Sequence, residues 1–177
     1  MLLRSGTILT QKNVDVNVGV FDPNIKELLD VKNNGYLLRY VPDSKKTKYM
    51  CLLAVQNNGF SLQYVPNSIK SESLCWLAVQ NCGMSLLYVP TQMKTQSVCM
   101  MAVRNSGVAL SYVPKSIKNK SLCLLAVYNC GYALTFVPDW LRGENMCFMA
   151  VQQSKSALEF VPESIKTKVL HSLIAVK

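Results

Sequence analysis

Histidine is nearly missing from this chain: His171 is the only one, and between Ser73 and Pro138 there is no Asp, Glu or His at all. General acid–base catalysis needs a carboxylate or an imidazole beside a pocket. The middle of the molecule therefore has no residues on which hydrolytic or transfer chemistry could run. Long apolar runs are missing too. No stretch reaches the ~18 residues of a membrane-crossing helix, and the opening Met1-Leu2-Leu3-Arg4-Ser5-Gly6 is too short an apolar stretch for a secretory signal. No two cysteines stand at the Cys-x2-4-Cys spacing usual in zinc sites. With acids absent from the middle, Lys94, Arg104, Lys115, Lys118 and Lys120 are uncompensated, and the net charge is +9.

What is present is repetition. A segment of 24 residues recurs six times, with proline at Pro42, Pro66, Pro90, Pro114, Pro138 and Pro162. Leucine keeps step at Leu38, Leu62, Leu86, Leu110, Leu134 and Leu158, and glycine at Gly35, Gly59, Gly83, Gly107 and Gly131, where the sixth copy has Lys155. Cys51, Cys75, Cys99, Cys123 and Cys147 form a further column, closed by His171. A fixed period without insertions marks a solenoid, whose units pack only on their neighbours. Stacked helices lie about 8–10 Å apart, beyond the ~7 Å that a disulfide spans between Cα atoms. The seven cysteines are thus expected to be free thiols packed in the core, which implies a reducing compartment and a cytoplasmic location. The same spacing keeps Cys147 from His171, so no nucleophile–base pair is expected. Neither an enzyme nor a cofactor or metal site follows from these residues.

Within the third copy, Ser71 suits a helix N-cap, and Thr47, Thr95, Asn119, Gly143 and Thr167 hold the matching positions. Leu74-Cys75-Trp76-Leu77-Ala78-Val79 is apolar on nearly all sides, which predicts a helix buried all round. Gly83 is expected to close it as a left-handed C-cap. A shorter helix, Met84 to Tyr88, should end at Val89-Pro90, because the residue before proline is pushed out of helical geometry. A leucine-rich repeat shares the period but needs a polar residue between its inward leucines. Leu77, Met101, Leu125 and Met149 stand there instead.

The expected fold is all-α: an α-solenoid of six two-helix repeats over residues 24–177, with a short N-terminal segment, 1–23, and a capping helix from Val169 to Val176. Asp22-Pro23 reads as a helix start. The alternating valines Val14, Val16, Val18 and Val20 suggest an edge strand or a cap over the first helix.

The phrases Leu-x-(Tyr/Phe)-Val-Pro, Ser-Ile-Lys and Cys-Leu-Leu-Ala-Val-x-Asn-x-Gly resemble a tandem helical repeat known as a domain of unknown function. That repeat is abundant in giant DNA viruses of amoebae and occurs in some intracellular bacteria. The resemblance covers about residues 28–177. It implies an α-solenoid acting in a host cell, in its cytoplasm or a viral factory, and it brings no catalytic residues.

Candidate binding residues follow from the columns. Lys46, Lys70, Lys94, Lys118, Arg142 and Lys166 stand just before each helix start, where a cation works against the helix dipole. They are expected to line one edge as a basic stripe outside the core, so that replacing Lys70, Lys94 and Lys118 by Gln would leave folding nearly unchanged. Positions that vary between copies add Arg104, Tyr128 and a lone Trp140. The Tyr40, Tyr64, Tyr88, Tyr112, Phe136 and Phe160 column reads as core, and the Asn57, Asn81, Asn105, Asn129 column as a ladder fixing the stack. The reading is a non-enzymatic scaffold binding a protein partner of unknown identity. The alternative is an electrostatic nucleic-acid binder using the lysines, with weak, salt-sensitive affinity.

Overall fold

The computed structural model describes residues 23–175. They form seven α-helices: α1 (Pro23–Asn33), α2 (Lys48–Asn57), α3 (Glu72–Asn81), α4 (Gln96–Asn105), α5 (Lys120–Asn129), α6 (Glu144–Gln153) and α7 (Glu163–Ala175). A six-residue 3-10 segment follows each of the first six, from Gly35–Tyr40 through Gly83–Tyr88 to Lys155–Phe160. No strand occurs among the described residues. The expected edge strand or cap at 14–20 lies outside them.

Each α-helix packs on the next α-helix and each 3-10 segment on the next 3-10 segment, so the chain builds two parallel columns. The 3-10 segment of one repeat also wedges against the α-helix of the following repeat. Thr47, Ser71, Thr95 and Asn119 cap their helices, each side-chain oxygen accepting from the amide three residues on. Gly143 has no side chain to do so. Thr167 is not a cap, because α7 already begins at Glu163 and runs through the expected turn.

The glycines act differently from the sequence expectation. Cys82, not Gly83, closes α3, with extended φ −148° and ψ 109°. Gly83 opens the 3-10 segment and lies against the backbone of the next repeat, where a Cβ would overlap the Ala102 carbonyl. Gly35, Gly59, Gly107 and Gly131 meet Ala54, Ala78, Ala126 and Ala150 in the same way. The close approach brings each of these 3-10 segments against the α-helix of the next repeat.

The core takes one face of each long helix and the inner side of each 3-10 segment. Met50, Cys51, Ala54, Val55, Leu62 and Val65 are buried in one repeat, and so are their equivalents in the three repeats that begin with α3, α4 and α5. Fully burying a leucine or valine contributes about 1.5–3 kcal/mol before opposing entropy. The long helices are not buried all round, however. With only two columns in the stack, no described residues cover the side of a helix that faces away from its 3-10 segments. Trp76 and Leu77 are half-buried there, and Met100 is 45% exposed.

Candidate functional site

Two hydrogen-bond ladders tie the repeats together, and both use residues that the sequence singled out. Asn105 donates from Nδ2 to the Gln80 carbonyl at the end of α3 (2.7 Å), while its Oδ1 accepts from the Gly83 amide (3.2 Å). Asn57 does the same to Asn33 and Gly35, and Gln153 to Tyr128 and Gly131. Asn81 and Asn129 reach the carbonyls of Val55 and Val103. The amide of each repeat thus satisfies carbonyls left over at the end of the preceding α-helix.

The lysine column forms the second ladder. Lys46 Nζ donates to the Tyr64 carbonyl (2.7 Å), Lys70 to Tyr88 (3.0 Å), Lys94 to Tyr112 (3.1 Å) and Lys118 to Phe136 (2.8 Å). Arg142 Nη1 reaches the Phe160 carbonyl (2.9 Å). Each cation ties down the carbonyl that ends the next 3-10 segment, where it is favoured by the negative end of that segment rather than opposed by its own helix. The Lys46 side chain is only 7% exposed. The expected solvent-facing stripe is therefore corrected: these side chains turn inward. Burial pushes Lys70, Lys94 and Lys118 below the ordinary lysine range. No 3-10 segment follows Lys166 among the described residues, and its ammonium pairs with Glu163 at 2.6 Å.

The cysteine column lies in the core, and all seven sulfurs are unpaired. Burial raises the thiols of Cys51, Cys75, Cys123 and Cys147, and takes Cys99 to about 11. A raised thiol is a poor nucleophile at neutral pH. The aromatic column is less buried than expected. Tyr40 is exposed, and Tyr64, Tyr88, Tyr112, Phe136 and Phe160 are half-buried, because the 3-10 column also has an uncovered side. Edge-to-face pairs cross the repeats there, such as Tyr36–Tyr64 at 5.3 Å and Tyr132–Phe160 at 5.9 Å between ring centroids.

The variable residues sit apart from these ladders. Arg104 and Tyr128 are exposed at equivalent positions near the ends of α4 and α5, and Tyr128 is 69% open to solvent. Trp140 is 77% exposed on the turn Asp139–Leu141, between α5 and α6. The structure adds a column that the sequence reading missed: Leu52, Trp76, Met100, Leu124 and Phe148, one on the outer side of each of five successive helices. Its signal in the sequence was variation in size beside the fixed Cys and Ala columns. Shallow hollows open between neighbouring helices along this column. One, of about 370 Å³, is lined by Lys48, Leu52, Ser73 and Leu74, and another, of about 410 Å³, by Lys120, Leu124, Leu141 and Met146.

No three potential ligands from His, Cys, Asp and Glu gather at one point among the described residues, and no described helix is long and apolar enough to cross a membrane. The model of a domain of unknown function, DUF4116, matches at residues 27–70, 47–94, 71–118, 95–142 and 119–166. The matches overlap and step by one repeat, in agreement with the stack. No curated protein and no solved structure matches the chain.

Proposed function

The chain belongs to the DUF4116 family, and from its own surface we propose that it is a non-enzymatic scaffold binding protein partners along the outer side of its long helices. The observation that supports this reading is the column Leu52, Trp76, Met100, Leu124 and Phe148. Exposed apolar surface rimmed by polar residues marks interaction sites, and solenoids present such surface as an extended strip. The rim is polar: Lys48, Glu72, Gln80, Arg104, Lys120 and Gln152 flank the column. Trp140, the chain neighbour of Leu141 in the α5–α6 hollow, adds an exposed aromatic anchor. Action in the cytoplasm of a host cell, as a viral product, belongs to the same proposal through the resemblance of the repeat.

A second reading, electrostatic contact with nucleic acid, draws on the acid-free stretch from Ser73 to Pro138. With Lys94 and Lys118 bonded to carbonyls, it rests on Arg104, Lys115 and Lys120. Photo-crosslinking in the native cell separates the two. A benzophenone side chain at position 76, 100 or 124 is expected to capture one and the same protein, and at position 40 to capture none. Trp76→Glu should abolish capture from positions 100 and 124 while circular dichroism shows the chain still folded, at a lower melting temperature because the half-buried ring packs on the core. Capture of RNA or DNA alone, or capture indifferent to Trp76→Glu, would overturn the scaffold reading.

A further inference from the structure

The outer side of the stack is not uniform in charge. α3 opens with Glu72 and α6 with Glu144, whereas α4 and α5 carry no acid and the turn between them adds Lys115. The cations on this middle face are Arg104, in the last turn of α4, and Lys120, the first residue of α5. Both are exposed. The ion pairs among the described residues are Lys45–Glu27, Lys46–Asp43, Arg142–Asp139 and Lys166–Glu163, so neither Arg104 nor Lys120 has an acidic partner among them. Lys94 and Lys118, by contrast, are committed to the Tyr112 and Phe136 carbonyls.

Apolar surface lies between the two free cations. Met100 and Tyr128 are exposed and Leu124 is half-buried. α4 and α5 pack side by side in the same sense, so Arg104 neighbours Tyr128 and Gln96 neighbours Lys120. From Lys120 to Tyr128 the helix rises eight residues, about 12 Å, and the two axes lie about 8–10 Å apart. The result is a small apolar field with cations at two diagonal corners.

We propose that this α4–α5 face takes an acidic segment of a partner protein, resting an apolar side chain on Met100, Leu124 and Tyr128 and setting carboxylates on Arg104 and Lys120. The proposal deepens the scaffold reading and rests on it. Charge complementarity decides the occupant: a face with cations and no acid repels basic segments and steers acidic ones. The arginine fork matches a carboxylate in two parallel hydrogen bonds, and Tyr, Met and Arg are the types enriched at protein interfaces. A nucleic-acid strand fits less well. Two or three cations give few phosphate contacts, and a single exposed tyrosine offers no platform for successive bases.

The test is a selection of displayed random 16-residue peptides on the intact chain, followed by anisotropy titrations with the enriched peptides and with a 20-nucleotide single-stranded RNA. Enrichment of Asp and Glu around one or two large apolar residues is expected. Arg104→Glu with Lys120→Glu should weaken these peptides tenfold or more, and Tyr128→Ala about tenfold. Charge-reversed peptides should bind the Glu variant better than the parent chain. Circular dichroism and melting curves of both variants should match the parent, because these side chains lie outside the core.

The proposal fails if the enriched peptides are not acidic, or if they ignore both variants. It also fails if RNA competes with them at equal strength. Peptides sensitive to Trp76→Glu or Phe148→Glu but not to the α4–α5 variants would leave the scaffold standing and remove this site. No enrichment on any part of the outer side would remove both.

Discussion

Two columns of this molecule recur at the same 24-residue period and behave in opposite ways. The lysine column is uniform in type and nearly hidden, each ammonium holding a carbonyl of the next repeat. The outer column of the long helices varies from Leu to Trp, Met and Phe, and stands half open to solvent. Repetition therefore marks the joints between units, including charged ones, and variation marks surface that the joints leave free. A cation repeated at fixed spacing is, in this fold, a packing residue.

The sharpest break of that comparison comes at a joint with no room at all. Gly83→Val would drive its side chain into the Ala102 carbonyl. A loss on the order of 3 kcal/mol or more is expected in urea denaturation. Gly143 has nothing near its Cβ position, so Gly143→Ala should cost less than about 1 kcal/mol. Equal effects at the two glycines would contradict the close approach.

Next in size is the lysine joint itself. Lys94→Met removes the donor to the Tyr112 carbonyl, and a bond from a charged donor to a partly buried group is worth about 1–2 kcal/mol here. Arg104→Gln, on the open face, should stay within about 0.5 kcal/mol. Replacing Lys70, Lys94 and Lys118 together should then destabilise the stack clearly, contrary to the expectation from sequence. A triple variant with unchanged stability would restore the solvent-facing stripe.

Alkaline pH gives a smaller effect of defined sign. The Cys99 thiol, held at about 11 by burial, keeps its proton in the folded chain above the ordinary value of 9.0, where an unfolded chain loses it. Between those values the folded state binds more protons, so its stability falls as pH rises. Lys70, Lys94 and Lys118 are shifted down by burial and act the other way, gaining stability as pH rises towards 10.5. Melting curves of Cys99→Ala should fall less steeply than those of the parent chain between pH 9 and 10.5. Parallel curves would show that this thiol is not held protonated by the core.

The smallest expected effect is a gain. The hydroxyls of Ser61 and Ser85 are buried without a hydrogen-bond partner, and Ala109, Ala133 and Ala157 occupy the same column. Ser61→Ala should raise stability by about 1 kcal/mol. A loss on thermal denaturation would mean that the hydroxyl does find a partner.

Much of the architecture could be read from residues. Thr47, Ser71, Thr95 and Asn119 cap where their chemistry requires it, because an N-cap is a local interaction spanning three residues. The asparagine ladder was legible because an amide that recurs near a helix end needs a backbone partner. Lys94 was misread because its partner is a backbone carbonyl 18 residues downstream, and no side-chain pattern marks a carbonyl. Gly83 was misread for a similar reason: a steric need for close approach and a need for left-handed backbone both select glycine. Trp76 and Leu77 read as buried because the run Leu74 to Val79 is apolar on nearly all sides. Periodicity along one helix does not say how many layers will cover it. The candidate site was only partly legible: Arg104, Tyr128 and Trp140 stood out by variation, but Leu124 and Met100 emerged only with the missing third layer.

The reach of the two ladders has a consequence for how quickly the chain can fold. The lysine bonds span 18 residues, and the asparagine bonds span 22 to 26. None of them depends on how many repeats the chain contains. Adding a unit therefore lengthens the chain without lengthening its contacts, so the mean separation of contacting residues falls relative to chain length. Low relative contact order goes with fast folding. A longer array of this repeat would meet the same loop-closure entropy at every step as a short one, and could grow from whichever unit orders first.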